Sequence, residues 1–166
     1  MYLCNENFPT YQAHEIDTED AILDTSDWIC LKNAAGCLIT FMHYYVADAD
    51  FTLSVHEGAT GTGTTAITTV FPIWLNANTA STDAAINTMV RQTDAATFVV
   101  DTGAAGNCNA TNAIVQFYID ASILTAGYDW IQLGMSAGHA TSYGSAIYQL
   151  DGYRFKQASP PSDLGL

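Results

Sequence analysis

Basic residues are scarce in this sequence. Its 166 residues include only four Lys and Arg against seventeen Asp and Glu, which gives a formal net charge of −13. Proteins that bind nucleic acids neutralise phosphates with clustered Lys and Arg, and anionic membranes attract the same side chains. The composition therefore disfavours both nucleic acid and anionic membranes as partners.

Three other features are missing. No apolar run reaches the about twenty residues that a membrane-spanning helix requires, so we expect a soluble protein. The cysteines (Cys4, Cys30, Cys37 and Cys108) form no CxxC pair and no Cys/His cluster at zinc spacing, so we predict free thiols. No stretch shows the periodicity of a long amphipathic helix.

What the chain does contain is a large apolar fraction with little charge. Apolar residues make up 49 % of the sequence and charged residues 13 %. This is the composition of a folded protein, and the length fits one domain with a sizeable core. Much of the surface must then consist of Thr, Ser, Asn and Gln rather than Lys and Glu.

The apolar residues follow the pattern of β-strands. Phe51, Leu53 and Val55 alternate with polar residues, and the stretch Ala113–Met135 holds two strands joined by a tight crossing. The whole chain shows eight or nine such runs, separated by turn residues, which is typical of an antiparallel β-sandwich, jelly-roll-like. The predicted core comes from one face each of Leu38–Val46, Phe51–Val55, Val70–Leu75, Ile114–Ile119 and Ile131–Met135.

The composition divides the chain into three parts. Residues 1–27 are predicted to form an acidic N-terminal arm, residues 28–158 the β-sandwich domain, and residues 159–166 a C-terminal tail. The arm either lies on its own domain or reaches a neighbouring subunit. Because a sandwich leaves sheet edges that must be covered, we expect a homo-oligomer.

Residues suited to metal binding are few. His43 and His56 lie on consecutive strands of a predicted hairpin and could be diagonal neighbours, but no third ligand is evident, so they are interpreted as ordinary histidines. Asp48-Ala-Asp50 resembles the start of a calcium loop, yet the apolar Phe51 and Leu53 follow where further ligands should stand. Solvated acids in a hairpin turn are the prediction there.

Residues suited to catalysis are no better defined. Asp120 and Asp129 flank the central crossing and could form an acid/base pair, although acids at strand ends commonly cap turns. The segment Glu57–Thr65 is rich in glycine but lacks the Lys and the strand-loop-helix setting of a phosphate loop. The sequence therefore predicts no catalytic, cofactor-binding or metal-binding residues, no cofactor and no enzymatic activity.

Two stretches together carry a family resemblance, Asp120–Leu133 (DASILTAGYDWIQL) and Ser145–Ser162 (SAIYQLDGYRFKQASPPS). With the predicted hairpin Leu38–Val55 and the Gly61-Thr-Gly63 loop, they resemble the head decoration, or cement, proteins of tailed bacteriophages. The resemblance covers roughly Leu31 to the C-terminus. It is a pattern of strands and implies no site residues.

The resemblance implies a structural virion protein. Such a protein binds the outer surface of the capsid and stabilises contacts between major capsid subunits, and decoration proteins often sit on capsid threefold axes. The implied partners are the major capsid protein and further copies of this chain, as a homotrimer. A glycan- or receptor-binding β-sandwich module of a phage tail is the alternative, because Trp and Tyr beside polar loops also suit sugars.

Overall fold

The structure is a computed structural model that describes residues 10–14, 26–63, 65–77, 88–108, 110–136 and 143–152. In these ranges the chain forms β-strands and one turn of 3₁₀ helix, Ala121–Ile123, and no α-helix. The strands are β1 (Thr10–His14), β2 (Ile29–Cys30), β3 (Gly36–Tyr44), β4 (Phe51–Gly58), β5 (Thr65–Ala66), β6 (Ile73–Ala77), β7 (Val90–Arg91), β8 (Thr97–Val100), β9 (Ala113–Asp120), β10 (Trp130–Met135) and β11 (Tyr143–Asp151).

The strands form two antiparallel sheets. The larger sheet has six strands in the order β1-β11-β3-β9-β6-β7, and the smaller has the order β2-β10-β4-β5, with β8 also paired to β4. Every strand pair is antiparallel. The predicted all-β antiparallel fold is therefore confirmed.

Side chains of both sheets meet in one core. The ring of Phe41 on β3 packs edge-on against Phe51 on β4, with centroids 5.9 Å apart, so the two sheets are in direct contact. All five predicted faces are buried, which confirms them. The core also includes a face of β11 that the prediction left out: Ala146, Tyr148 and Leu150. The buried Cys37 and Cys108 and the partly exposed Cys30 are free thiols, as predicted, and Cys4 lies outside the described residues.

The predicted hairpin between Leu38 and Val55 is wrong. Strand β3 pairs with β11 and β9, whereas β4 pairs with β10, β5 and β8, so residues 45–50 cross from one sheet to the other. Both strands turn one apolar face inward. This alternation is the same for two neighbours in one sheet and for two strands in facing sheets, so the pattern could not separate the two arrangements.

The predicted tight crossing in the central stretch is confirmed, and it also joins the two sheets. Strand β9 belongs to the larger sheet and β10 to the smaller. The connection begins where the Asp120 carboxylate accepts a hydrogen bond from the Ser122 amide, 2.8 Å away. Farther along, the buried Glu57 of β4 accepts hydrogen bonds from the amide and the hydroxyl of Thr125, at 2.8 and 2.5 Å. A buried carboxylate thus anchors the crossing.

Strand β2 pairs with only the first two residues of β10, and side chains bond to the edge of β10 beyond that point. The hydroxyl of Tyr148, on β11, accepts a hydrogen bond from the Leu133 amide at 2.8 Å. Ser26 donates to the Leu133 carbonyl at 2.8 Å, which leaves the Tyr148 hydroxyl to donate to Ser26 at 2.7 Å. Two of these bonds satisfy the Leu133 amide and carbonyl, which a neighbouring strand would otherwise pair, and the third joins the two hydroxyls. The bond from Leu133 to Tyr148 ties the two sheets together. Burial raises the pKa of Tyr148, so the hydroxyl keeps its proton.

Parts of the segment predicted to be an arm belong to the domain. Strand β1 pairs with β11 of the same chain, with Tyr11 opposite Tyr148, and Ser26 is buried. Residues 10–14 and 26 therefore help to build the fold. The rest of the predicted arm up to residue 25 and the predicted tail, 159–166, lie outside the described residues.

Candidate interaction surface

On its central four strands, the outer face of the six-stranded sheet carries charged side chains only at one end, where Asp120 ends β9 and Asp151 ends β11. On β11, β3, β9 and β6 the odd and even positions separate cleanly into buried and partly exposed residues. The outward positions before these two acids are uncharged, and we call the following residues the neutral face: Leu38, Thr40, Met42, Trp74, Asn76, Ile114, Gln116, Tyr118, Ser145, Ile147 and Gln149.

Strand register places these residues in rows across the sheet. One row runs from Ile147 to Thr40, Gln116 and Trp74, each directly opposite the next. Within it the Gln116 amide donates a hydrogen bond to the Thr40 hydroxyl at 3.1 Å, which fixes both polar groups against the sheet. The row therefore has an apolar side chain at each end and a hydrogen-bonded polar pair between them, and it contains no charge, which is the property that marks the centre of protein interfaces.

Acidic residues mark one end of the neutral face. Asp120 and Asp151 lie in one row on either side of Gly36. The Tyr118 hydroxyl reaches Asp151, donating a hydrogen bond at 3.0 Å, and passes so close to Gly36 that a Cβ there would lie 2.8 Å from the hydroxyl oxygen. Burial, with the bond to Asp151, raises the pKa of Tyr118 to about 12. The absence of a side chain at Gly36 thus lets the Tyr118 ring lie across β3.

A cation marks one side of the face. The guanidinium of Arg91, on β7, stacks over the Trp74 ring at 5.0 Å from its centroid and also forms a salt bridge with Asp94. Stacking of this kind favours a defined orientation of the indole. Trp74 is thereby held as a fixed aromatic group at the margin of the face.

Exposed apolar area lies on the neutral face and directly beside it. Met42 is 40 % exposed, and Tyr44, two residues farther along the same side of β3, is 55 % exposed. Exposed apolar side chains that lie together are more informative than scattered ones, because contiguous apolar patches mark binding surfaces.

The sequence analysis missed this surface. Its signal was a run of uncharged residues at successive outward positions of several strands, such as Ile114, Gln116 and Tyr118 on β9 before Asp120.

The two histidines considered as metal ligands do not share a site. His43 points into the core, is 4 % exposed and contacts Phe51 at a ring-centroid distance of 5.0 Å. Burial lowers its pKa to about 4. His56 lies on the outer face of the other sheet, opposite Gln132 and against Gly134. The two histidines therefore lie on different faces of different sheets, and the possibility that they are diagonal neighbours is excluded.

The acids of the apparent calcium loop bind a threonine. The buried Thr102 donates its amide to Asp50 at 2.8 Å and its hydroxyl to Asp48 at 3.1 Å, and its hydroxyl accepts from the Ala49 amide at 2.9 Å. These bonds join the connection after β3 to the loop after β8. Within the described ranges no three His, Cys, Asp or Glu side chains are placed to hold a metal ion.

At the central crossing, the side chain of Asp120 and the main chain of Asp129 form hydrogen bonds. Asp120 caps the 3₁₀ turn, and the hydrogen bonds from Ser122 lower its pKa. The main chain of Asp129 donates to the Gly58 carbonyl and accepts from the Leu31 amide. Asp120 therefore caps a turn, which is the commoner function of acids at strand ends.

The glycine-rich loop after β4 packs against tryptophans. A Cβ at Gly61 would lie 3.6 Å from the Trp130 ring, and one at Gly58 would lie 3.4 Å from Trp28. Thr60 and Thr62 share a hydrogen bond between their hydroxyls at 3.0 Å. The loop thus contacts two indoles, and it folds back so closely that a Cβ at Gly58 would lie 2.9 Å from the Thr62 carbonyl oxygen.

The sequence matches no protein-family model and no curated protein. In the part of the chain that the structure describes, no helix has the length and apolar character needed to cross a membrane. The neutral face and the distribution of charge around it are therefore the features from which function is inferred.

Proposed function

We propose that this protein is a structural virion protein of a tailed bacteriophage, a decoration or cement protein that binds the outer surface of the head. There it stabilises contacts between major capsid subunits. The family resemblance supports the structural role. The neutral face supports a binding surface, because it is an uncharged area on a chain whose net charge is −13. A sheet face without charge, beside exposed apolar side chains, suits contact with another protein.

The net charge supports an outer location. Packaged DNA fills the inside of a head, and a chain with so few basic residues has little with which to neutralise phosphates. An interior position would bring like charges together. On the outside, acids that face water keep particles apart in solution.

The neutral face is proposed to contact the major capsid protein. Its apolar side chains would be buried in the contact, and its Gln and Thr side chains would exchange water for hydrogen bonds with the capsid. Salt screens ionic contacts but does not weaken apolar burial. Dissociation of the bound protein should therefore change little between low and high salt.

The topology of the sandwich and its oligomeric state are part of the same proposal. We propose a jelly-roll-like sandwich that forms a homotrimer, in which the undescribed part of the N-terminal segment or the C-terminal tail reaches a neighbour. The protein is proposed to have no enzymatic activity, no cofactor, and no nucleic-acid or membrane partner. Light scattering tests the assembly, because a monomer at high concentration contradicts the trimer.

One observation favours the alternative, a glycan-binding module of a phage tail. Trp74 lies opposite Gln116 and two residues before Asn76, so an aromatic ring and two amides stand together on a sheet face. Sugars bind such combinations of an apolar ring and polar groups. The alternative predicts that host polysaccharide quenches tryptophan fluorescence saturably, and that Trp74→Ala removes the effect. The decoration function predicts no such quenching.

Binding to particles that lack the protein tests the proposal. Wild-type protein should sediment with these particles, whereas Met42→Glu, which places a charge in the neutral face, should reduce the bound fraction at least tenfold. Val99→Glu is the matched control, because Val99 is 50 % exposed on the outer side of β8 in the other sheet. Both variants should melt like the wild type. Equal binding by Met42→Glu and wild type would contradict the proposed contact.

A further inference from the structure

His43 lies where the core meets one end of the sandwich. It is the last inward-facing residue of β3, and the residues opposite it on the two adjacent strands are the small Ala113 and Gly144. Both imidazole nitrogens are buried, and neither has a hydrogen-bond partner among the described residues. An unpaired buried polar group is costly, and a buried unpaired charge is far more so. The imidazole therefore stays neutral while it is covered.

Two irregular segments adjoin His43 at this end. The connection between β3 and β4 starts two residues after His43 and ends directly before Phe51, whose ring contacts the imidazole. The loop between β8 and β9 follows Val100, which pairs with Phe51, and ends before Ala113, which pairs with His43. Both segments thus begin and end beside the contact of His43 with Phe51, so their movement would bring water to the imidazole.

Side-chain hydrogen bonds hold the two segments together. In the loop, the buried Thr102 donates its amide to Asp50 and its hydroxyl to Asp48, both in the connection. The amide of Tyr45 in turn donates to the side chain of Asn112 at 2.9 Å. These bonds are not part of a strand ladder, and loops held in this way open at a lower free energy than paired strands do.

We infer that these two segments form a pH-sensitive closure. In mild acid His43 binds a proton when the segments move away from it, and the charged imidazole then keeps them open while the strands of both sheets stay paired. The closure is a property of the fold that goes beyond the proposed capsid contact and does not depend on it.

The groups around His43 favour this response. Its neighbours on β4, β9 and β11 are Phe51, Ala113 and Gly144, which carry no charge. The titratable side chains that the structure describes in the two segments are Tyr45, Asp48, Asp50, Asp101 and Cys108. While the end is closed, burial dominates and lowers the pKa of His43 to about 4. Once water reaches the imidazole, the pKa returns to its ordinary value, and acids beside it stabilise the charged form.

The size of the response follows from linkage. The closed form resists protonation, so the closure is stable above pH 6.5 and weakens as the pH falls below that value. With a pKa of about 4 when closed and 6.5 when open, a change from pH 7 to pH 5 should increase the open fraction about 20-fold.

Two buried thiols report where the protein opens. Cys108 lies in the loop between β8 and β9 and is completely buried and free, so it should react when that loop moves. Cys37 is equally buried and free, but it lies near the other end of β3 and is paired on both sides, with Ile119 and Leu150. Exposure of Cys37 therefore requires the sheet itself to open.

The experiment follows labelling of the full chain by dithiodipyridine at pH 7, 6 and 5. Mass spectrometry of peptides gives the initial rate for each thiol, which is divided by the rate for an unfolded cysteine peptide at the same pH. The corrected rate of Cys108 should rise about 20-fold from pH 7 to pH 5. At each pH it should exceed the corrected rate of Cys37 at least about tenfold.

Two variants separate the histidine from the hydrogen bonds. His43→Phe removes the titrating group, so its corrected Cys108 rate should change by less than about threefold over this range. Thr102→Val removes the hydroxyl that bonds to Asp48 and to the Ala49 amide. It should increase the Cys108 rate at every pH and keep the rise of about 20-fold, because His43 is unchanged.

Three results would overturn the inference. Equal corrected rates for Cys37 and Cys108 would show that the thiols react only through global unfolding, and this comparison within the wild type needs no variant. A Cys108 rate independent of pH would show that no proton drives the opening. An undiminished rise in His43→Phe would assign the response to the acids of the two segments. Capsid binding takes no part in these measurements, so none of the three results bears on the proposed function.

Discussion

Acid should destabilise the fold through His43. Its imidazole is almost completely buried beside Phe51, and neither ring nitrogen has a hydrogen-bond partner among the described residues. Burial disfavours the charged form, so the pKa falls from 6.5 to about 4 in the folded protein. The unfolded chain therefore takes up a proton at a higher pH than the folded chain does.

The size of the effect follows from these two pKa values. The contribution of His43 to the free energy of unfolding is constant well above pH 6.5 and declines as the pH falls below that value. Below about pH 4 it is constant again, because His43 is then protonated in both states. Between pH 7 and pH 5 the free energy of unfolding should fall by about 2 kcal/mol. Aspartate and glutamate side chains remain mostly ionised over this range, so the histidine dominates.

Urea unfolding followed by tryptophan fluorescence at pH 7, 6 and 5 measures the effect. His43→Phe keeps a planar ring against Phe51 and removes the titrating group, so its stability should change by less than about 0.5 kcal/mol over that range. It should also equal or exceed the wild type at pH 7, because two unpaired buried nitrogens are removed. His56→Gln keeps His43 and should retain the wild-type decline. Parallel pH profiles for wild type and His43→Phe would refute the reasoning.

Three substitutions test the packing. Leu53→Asp should leave the domain unfolded, as circular dichroism would show, because an unpaired charge cannot remain in the core. Tyr148→Phe should lower the free energy of unfolding by about 1–3 kcal/mol in urea titrations, because the Leu133 amide loses its buried partner, and an unchanged value would contradict that role. Gly36→Ala should lower the melting temperature, because its Cβ would lie 2.6 Å from a backbone oxygen of β9 and 2.8 Å from the Tyr118 hydroxyl; unchanged melting would show that this contact relaxes freely.

The strands and the core could be predicted because their signal is local. Phe51, Leu53 and Val55 are buried and alternate with residues that face outward, so a short window of sequence contains the evidence. The assignment of strands to sheets is not local. The six residues between β3 and β4 fit a hairpin or a crossing equally well, and the contact of Phe41 with Phe51 across the core becomes visible only in the fold.

The candidate site could not be predicted for the same physical reason. Ile147, Thr40, Gln116 and Trp74 form one row, yet they come from four strands that are distant in the sequence. On each strand they are simply the outward half of an alternation. Their shared lack of charge becomes a surface property only when pairing and register bring them together.

Imaging of intact particles tests the central claim most directly. Reconstructions of virions with and without the protein should differ by density at regular positions on the outer surface of the head, with the six-stranded sheet turned toward the capsid shell. Density that disappears from the tail while the head is unchanged would contradict the decoration function and favour the glycan-binding alternative. Outer-surface density in which the neutral face points away from the shell would contradict the proposed contact.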